Sequence, residues 1–125
     1  MYCKIFISKH EVDALSLHSN VANYLFEKHS ILKNSPTLFE FEILRNKEFD
    51  QQKQTIFPDG FLFFPLFIEI SGSDDNLTFN MDCVAEVLKY LWSNNYSAIA
   101  SCNFEHLLPE NGGYKSTRIP WPVEY

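Results

Sequence analysis

The stretch FPDGFLFFPLFIEI, residues 57–70, constrains the fold of this chain more than any other. A Pro58-Asp59-Gly60 turn opens it, and residues 61–70 are almost wholly apolar and aromatic. Such a run, bounded by turn signals, reads as a strand buried on at least one face. Side chains alternate along a strand. Leu62, Phe64, Leu66, Ile68 and Ile70 therefore make one face, and Phe61, Phe63, Pro65, Phe67 and Glu69 the other. Proline has no N–H to give to a ladder, so a bulge is expected at Pro65. The rest of the chain is then what pairs with this strand, here β3, and what covers it.

Residues 2–8, YCKIFIS, alternate too, with Cys3, Ile5 and Ile7 opposite Tyr2, Lys4, Phe6 and Ser8; this is β1. Over residues 11–29 the period changes. Leu15, Ala22, Leu25 and Phe26 recur at helical spacing with Val21 beside them, which predicts α1. Glu11 and Asp13 in its first turn and Lys28 and His29 in its last complement the helix dipole. Asn34-Ser35-Pro36 breaks the chain. Residues 37–46 form β2, with Phe39, Phe41 and Ile43 facing one way and Glu40 and Glu42 the other. The polar residues 47–56 make a long hairpin loop before β3. After a loop at 71–76, Val84, Val87, Leu88 and Leu91 predict α2 over residues 81–93, with Asn80 as N-cap and Asn94 or Asn95 as stop. Residues 96–103 form β4. Residues 104–125 are an irregular tail that packs through Leu107, Leu108, Tyr114, Ile119 and Trp121. The length, 125 residues, suits a single domain with one core.

The element order β-α-β-β-α-β is the split βαβ or ferredoxin-like arrangement, an α+β fold. Right-handed crossovers put both helices on one face of a four-stranded antiparallel sheet, in the order 4-1-3-2. The other face carries Tyr2, Phe6, Glu40, Glu42, Phe61, Phe63, Phe67 and Glu69. It is open unless the tail or a partner covers it, and an exposed aromatic patch of that kind reads as a binding surface.

Composition narrows the function by exclusion. With 16 acidic against 10 basic residues the net charge is −6, which lacks the basic footprint of a nucleic-acid or anionic-membrane binder. The same charge suits a basic protein partner, because opposite fields speed encounter. No apolar run reaches the ~18 residues of a membrane span, and the start goes directly into strand pattern without a signal-peptide core. The cytoplasm is the expected compartment. Cys3, Cys83 and Cys102 are an odd number without a CxxC, which fits reduced, mostly buried thiols.

No motif announces a chemistry. Cys102, Glu105 and His106 offer a thiol, a carboxylate and an imidazole, but lie so close in sequence at a strand end that convergence of all three is not expected. A ligand pocket between sheet and tail near Cys102, Glu105, His106 and Trp121 is the alternative it leaves open. His10, His18, His29 and His106 are scattered, and Asp74-Asp75 lacks the spacing and closing Glu of a calcium loop. There is no phosphate-binding glycine loop. Neither metal nor cofactor is expected.

The segments FPDGFLFFPLFIEI and CNFEHLLPENGGYKSTRIPWP resemble those of a family of small bacterial proteins. In size, acidity and lack of catalytic motifs the chain is also similar to immunity proteins of contact-dependent growth inhibition and other polymorphic toxin systems. That resemblance implies a cytoplasmic, non-catalytic protein that binds and occludes a cognate toxin, commonly a nuclease. The expected contact residues are Glu40, Glu42, Glu48, Asp50, Asp59 and Glu69, with Phe61, Phe63 and Phe67 as aromatic anchors. The remaining alternative is a homodimer joined through the open sheet face.

Overall fold

A computed structural model describes residues 1–33, 35 and 38–123. Strands β1 (Tyr2–Ser8), β2 (Phe39–Arg45), β3 (Leu66–Gly72) and β4 (Ser97–Ser101) form one sheet in the order β2-β3-β1-β4. Every neighbouring pair is antiparallel. This is the α+β arrangement expected from the element order. The connection through α1 (Ala14–Lys28) places β2 one strand away from β1, and β3 fills the position between them. A second crossover through α2 (Leu77–Ser93) brings β4 to the other side of β1. Of the expected break at 34–36 and the start of β2 at Thr37, residues Asn34, Pro36 and Thr37 lie outside the described residues. Among the described residues no helix is long and apolar enough to cross a membrane.

The main core lies between the helices and one sheet face. Cys3, Ile5, Ile7, Ile68, Ile70, Ala98 and Ala100 meet Leu17, Val21 and Leu25 of α1 and Val84, Val87, Leu88 and Leu91 of α2. The buried stripe of α1 differs from the expected one, since Leu15 is 81% exposed. The helix begins only at Ala14: Asp13 is the N-cap and accepts the Leu15 N–H, which places Glu11 outside it. Helix α2 starts earlier than expected. A short 3₁₀ turn at Asp74–Asn76 winds directly into it, so Asn80 is not a cap. It is buried within the helix and donates its amide to the Ser73 carbonyl at 2.9 Å. Asn94 ends the helix, as expected.

The largest departure concerns the stretch 57–70. Only its second half is strand. Asp59–Phe63 is a 3₁₀ turn, and β3 begins at Leu66. The Asn46 side-chain amide donates to the carbonyls of Leu62 and Phe64 at 2.9 and 2.8 Å, satisfying backbone that a ladder would otherwise serve. Pro65 precedes the strand, so no bulge is needed, and the β2–β3 register runs unbroken from Phe39–Gly72 to Arg45–Leu66. The expected facing of Leu66, Ile68 and Ile70 holds. That of Leu62 and Phe64 does not: Leu62 is exposed, and Phe64 is fully buried on the opposite side of the sheet.

There Phe64 joins Phe6, Ile99 and Ile119 in a second, smaller core, with Phe61, Phe67, Tyr114 and Trp121 around it. The polar loop that precedes it is fastened by specific bonds. Ser8 donates to buried Gln54 at 2.8 Å, and the Trp121 indole donates to the Thr55 carbonyl at 2.9 Å. Gly60 packs against this loop so closely that a Cβ there would lie 2.6 Å from the carbonyl oxygens of Lys53 and Gln54. Of the expected tail contacts, Leu108 and Ile119 are buried and Tyr114 and Trp121 partly so, but Leu107 is 63% exposed.

Replacing Phe64 by Ala should cost about 3–5 kcal/mol, because it empties the centre of the second core. Leu15→Ala should stay within about 0.5 kcal/mol of wild type. Urea denaturation of the two variants measures both.

Candidate functional site

Alternation places Tyr2, Lys4, Phe6 and Ser8 of β1, Glu40, Glu42 and Leu44 of β2, Phe67, Glu69 and Ser71 of β3, and Ile99 and Ser101 of β4 on the face away from the helices. The chain divides this face in two. The second core covers the part that holds Phe6, Ile99 and Phe67. Toward the start of β1 the face stays bare: Tyr2 is 54% exposed, and Glu40, Glu42 and Ser71 are exposed as well.

Register sets the electrostatics of the bare part. Glu42 stands directly opposite Glu69, and Glu40 opposite Ser71. Like charges facing one another across a ladder oppose its pairing. Lys4 lies opposite Glu69 on the other side, yet its ammonium sits 4.0 Å from the Phe67 ring centroid and 5.2 Å from that of Phe6. It takes a cation–π position at the border of the second core. Among the described residues no salt bridge engages Glu40, Glu42 or Glu69. Burial, followed by the charge of Glu69, raises the Tyr2 phenol above its ordinary pKa.

Tyr2 also links two hollows. The smaller, about 220 Å³, is lined by Tyr2, Glu40, Glu42 and Glu69. The larger, about 720 Å³, runs from Tyr2 past Met1, Leu77, Met81, Phe104 and Leu107. Leu77 and Leu107 are 42% and 63% exposed. Together these residues form an apolar and aromatic strip with unpaired carboxylates at one end. Tyr2 is legible from the alternation of β1. Leu77 and Leu107 are not, because a helix start and a 3₁₀ turn bring them there and neither carries a period.

The expected contact residues do not all assemble. Glu40, Glu42 and Glu69 come together as the alternation predicts. Glu48 and Asp50 lie beyond the other end of β2, and Asp50 has a structural task, accepting the N–H groups of Gln52 and Lys53 at 3.0 and 2.9 Å. Asp59 accepts the Tyr114 hydroxyl at 2.7 Å, tying the 59–63 turn to the C-terminal segment. Phe61 and Phe63 leave the sheet with the 3₁₀ turn. Phe61 packs edge-on against Phe6 and Tyr114, and Phe63 has the Lys53 ammonium over its ring. Phe67 is half-buried beneath Lys4.

Of Cys102, Glu105, His106 and Trp121, Cys102 and His106 both line the larger hollow, whereas Trp121 lies apart from them. The Glu105 carboxylate accepts the Cys102 N–H at 3.2 Å, His106 is exposed, and Trp121 belongs to the second core. His18 stacks on Phe41, with ring centroids 4.6 Å apart. Among the described residues no group of His, Cys, Asp and Glu is placed to hold a metal ion.

No protein-family model and no curated protein matches this chain. Among solved structures, it is similar to a chain of the CdiA-CT/CdiI toxin and immunity complex from Burkholderia pseudomallei. The TM-score is 0.53 and the identity 14%, over 93% of this chain and 97% of that one. At that identity what the two share is the fold.

Two measurements check this electrostatic description. Glu42→Lys turns the repulsive rung with Glu69 into an attractive one and should stabilise the protein by roughly 0.2–1 kcal/mol, the gain shrinking with added salt. Urea midpoints at low and high ionic strength give the answer. Acid stability reports Asp13 and Asp50. The Ser16 hydroxyl lowers the pKa of Asp13, and the Lys53 N–H that of Asp50. Their contribution is therefore full above the unfolded carboxyl value of about 4 and lost as pH falls through the lower folded values. A variant with both residues changed to Ala should show a flatter loss of stability between about pH 5 and pH 2 than wild type.

Proposed function

We propose that this chain is a non-catalytic, cytoplasmic immunity protein that binds a basic cognate toxin, a nuclease, and occludes its substrate groove. The single observation that carries the proposal is the set of uncompensated carboxylates on the bare part of the sheet, with Glu42 facing Glu69 across the ladder. The fold alone tolerates that rung at a cost; a cationic partner turns it into a gain. A nuclease groove is such a partner, since it must attract phosphate.

The fold shared with a chain of a toxin and immunity complex is consistent with this reading. Which of the two roles applies is argued from charge and site. A net charge of −6 disfavours a nucleic-acid-cleaving role and favours the protein that neutralises such an enzyme. In place of Phe61 and Phe63, the apolar anchors are Tyr2, Leu77 and Leu107, beside Glu40, Glu42 and Glu69. A homodimer through the same surface would set these carboxylates against their own copies, which like charge disfavours.

The test is association with a purified cognate toxin domain. Glu40→Lys with Glu42→Lys should slow association at least about 10-fold at low salt, with the difference fading as ionic strength rises. Leu107→Ala and Tyr2→Ala should act mainly on dissociation. Unchanged rates in the charge-reversed variant would remove the acidic surface from the interface.

A further inference from the structure

The main chain brings Cys3 and Cys102 face to face. In the β1–β4 ladder Lys4 pairs with Ser101, and carrying that register one residue past the end of β4 sets Cys102 opposite Cys3. The kind of rung follows from the other side of β1. Met1 and Gly72 exchange both of their backbone bonds, at 2.9 and 3.1 Å, so the odd-numbered residues of β1 direct their N–H and C=O groups to β3. Toward β4, Cys3 therefore sits at a non-hydrogen-bonded position. Cα atoms at such a rung are about 4.5 Å apart, within the span of a disulfide. The two side chains lie on the same face, toward the main core, and each thiol perturbs the titration of the other.

The surroundings give the two sulfurs different roles. Cys3 is fully buried, whereas Cys102 is half-buried and lines the 720 Å³ hollow, which leads to solvent. The Cys3 side chain lowers the pKa of the Cys102 thiol, while Cys102 and burial raise that of Cys3. Cys83 is different. It sits on α2, enclosed in the main core and outside the β1–β4 ladder that sets the other two opposite each other, so it serves as a packing residue.

We propose that Cys102 and Cys3 are a reversible oxidation site at which hydrogen peroxide, or a comparable hydroperoxide, produces an intramolecular disulfide. The Cys102 thiolate attacks one peroxide oxygen. An S–O bond forms, the O–O bond breaks, and the departing hydroxide takes up a proton as water. The Cys3 sulfur then attacks the Cys102 sulfenic acid. The S–S bond forms, the S–O bond breaks, and the hydroxyl leaves as a second water with the Cys3 proton. Both thiols are oxidised and the peroxide is reduced. The proximity of Cys3 makes the second step faster than over-oxidation of Cys102. This chemistry is independent of toxin binding and is read on the protein alone.

The experiment treats reduced, desalted protein with hydrogen peroxide, removes the peroxide, labels the remaining thiols with a maleimide in denaturant, and maps the peptides by mass spectrometry. Wild type should fall from three labelled cysteines to one, Cys83, with a Cys3–Cys102 linked peptide that dithiothreitol reverses. Cys83→Ser should behave as wild type. Cys3→Ser should leave a Cys102 sulfenic acid that dimedone traps and that wild type does not accumulate. The proposal is overturned if all thiols survive, if Cys102 proceeds to sulfinic acid while Cys3 stays labelled, or if the only disulfides join separate molecules. The wild-type peptide map decides by itself should Cys3→Ser fail to fold.

Discussion

The structure depends on how the face of the sheet turned away from the helices is kept dry. A four-stranded sheet with both helices on one side leaves a second apolar face, and Phe6 and Ile99 on it cannot remain in water at no cost. The chain answers with Phe64. Its ring is fully buried against that face and serves as the post to which two otherwise irregular segments are tied. The 47–64 stretch is bonded through Asn46, Gln54 and Thr55, and the C-terminal segment through Tyr114 and Trp121. Without that aromatic contact these polar bonds would join two mobile loops and contribute little net stability.

The same arrangement defines the surface left over. The lid reaches only part of the face, so the start of β1 and the adjoining ends of β2 and β3 stay open to solvent. Strand register then decides what the open part presents, which is Glu42 against Glu69 with Glu40 and Tyr2 beside them. Lys4 is the cation in register to neutralise Glu69, but the edge of the aromatic lid draws its ammonium away. The uncompensated charge is thus a by-product of how the second core is capped. At this end the proposed contact surface and the Cys3–Cys102 pair lie close together, because Tyr2, Leu77, Leu107 and Cys102 line the same hollow.

Regular elements are legible in the sequence because their periods are local. The bounds of β1 match its alternation, those of β2 and β4 lie within a residue or two of theirs, and the two helices are present with their ends displaced. The order of strands follows from the β-α-β-β-α-β succession of elements. The stretch 57–70 misleads because an aromatic run has no period that separates a buried strand from a buried turn. Contacts distant in sequence, the Asn46 amide on the Leu62 and Phe64 carbonyls and the Tyr114 hydroxyl on Asp59, hold residues 59–63 coiled rather than extended. Asp59 passes for surface charge in the sequence for the same reason, since its partner is a tyrosine hydroxyl that only folding brings near.

Alternation, element order and net charge, all properties of neighbouring residues or of the whole sequence, determined the α+β sheet with two helices and the acidic character of its bare face. Tertiary structure alone decided how much of that face stays bare, which apolar residues border it and which thiols meet. Those outcomes depend on contacts between segments far apart in the chain, Phe64 with Trp121, Tyr114 with Asp59 and Cys3 with Cys102. Such contacts leave no periodic trace in the sequence, because the loops between them fix neither their distance nor their facing until the core has closed.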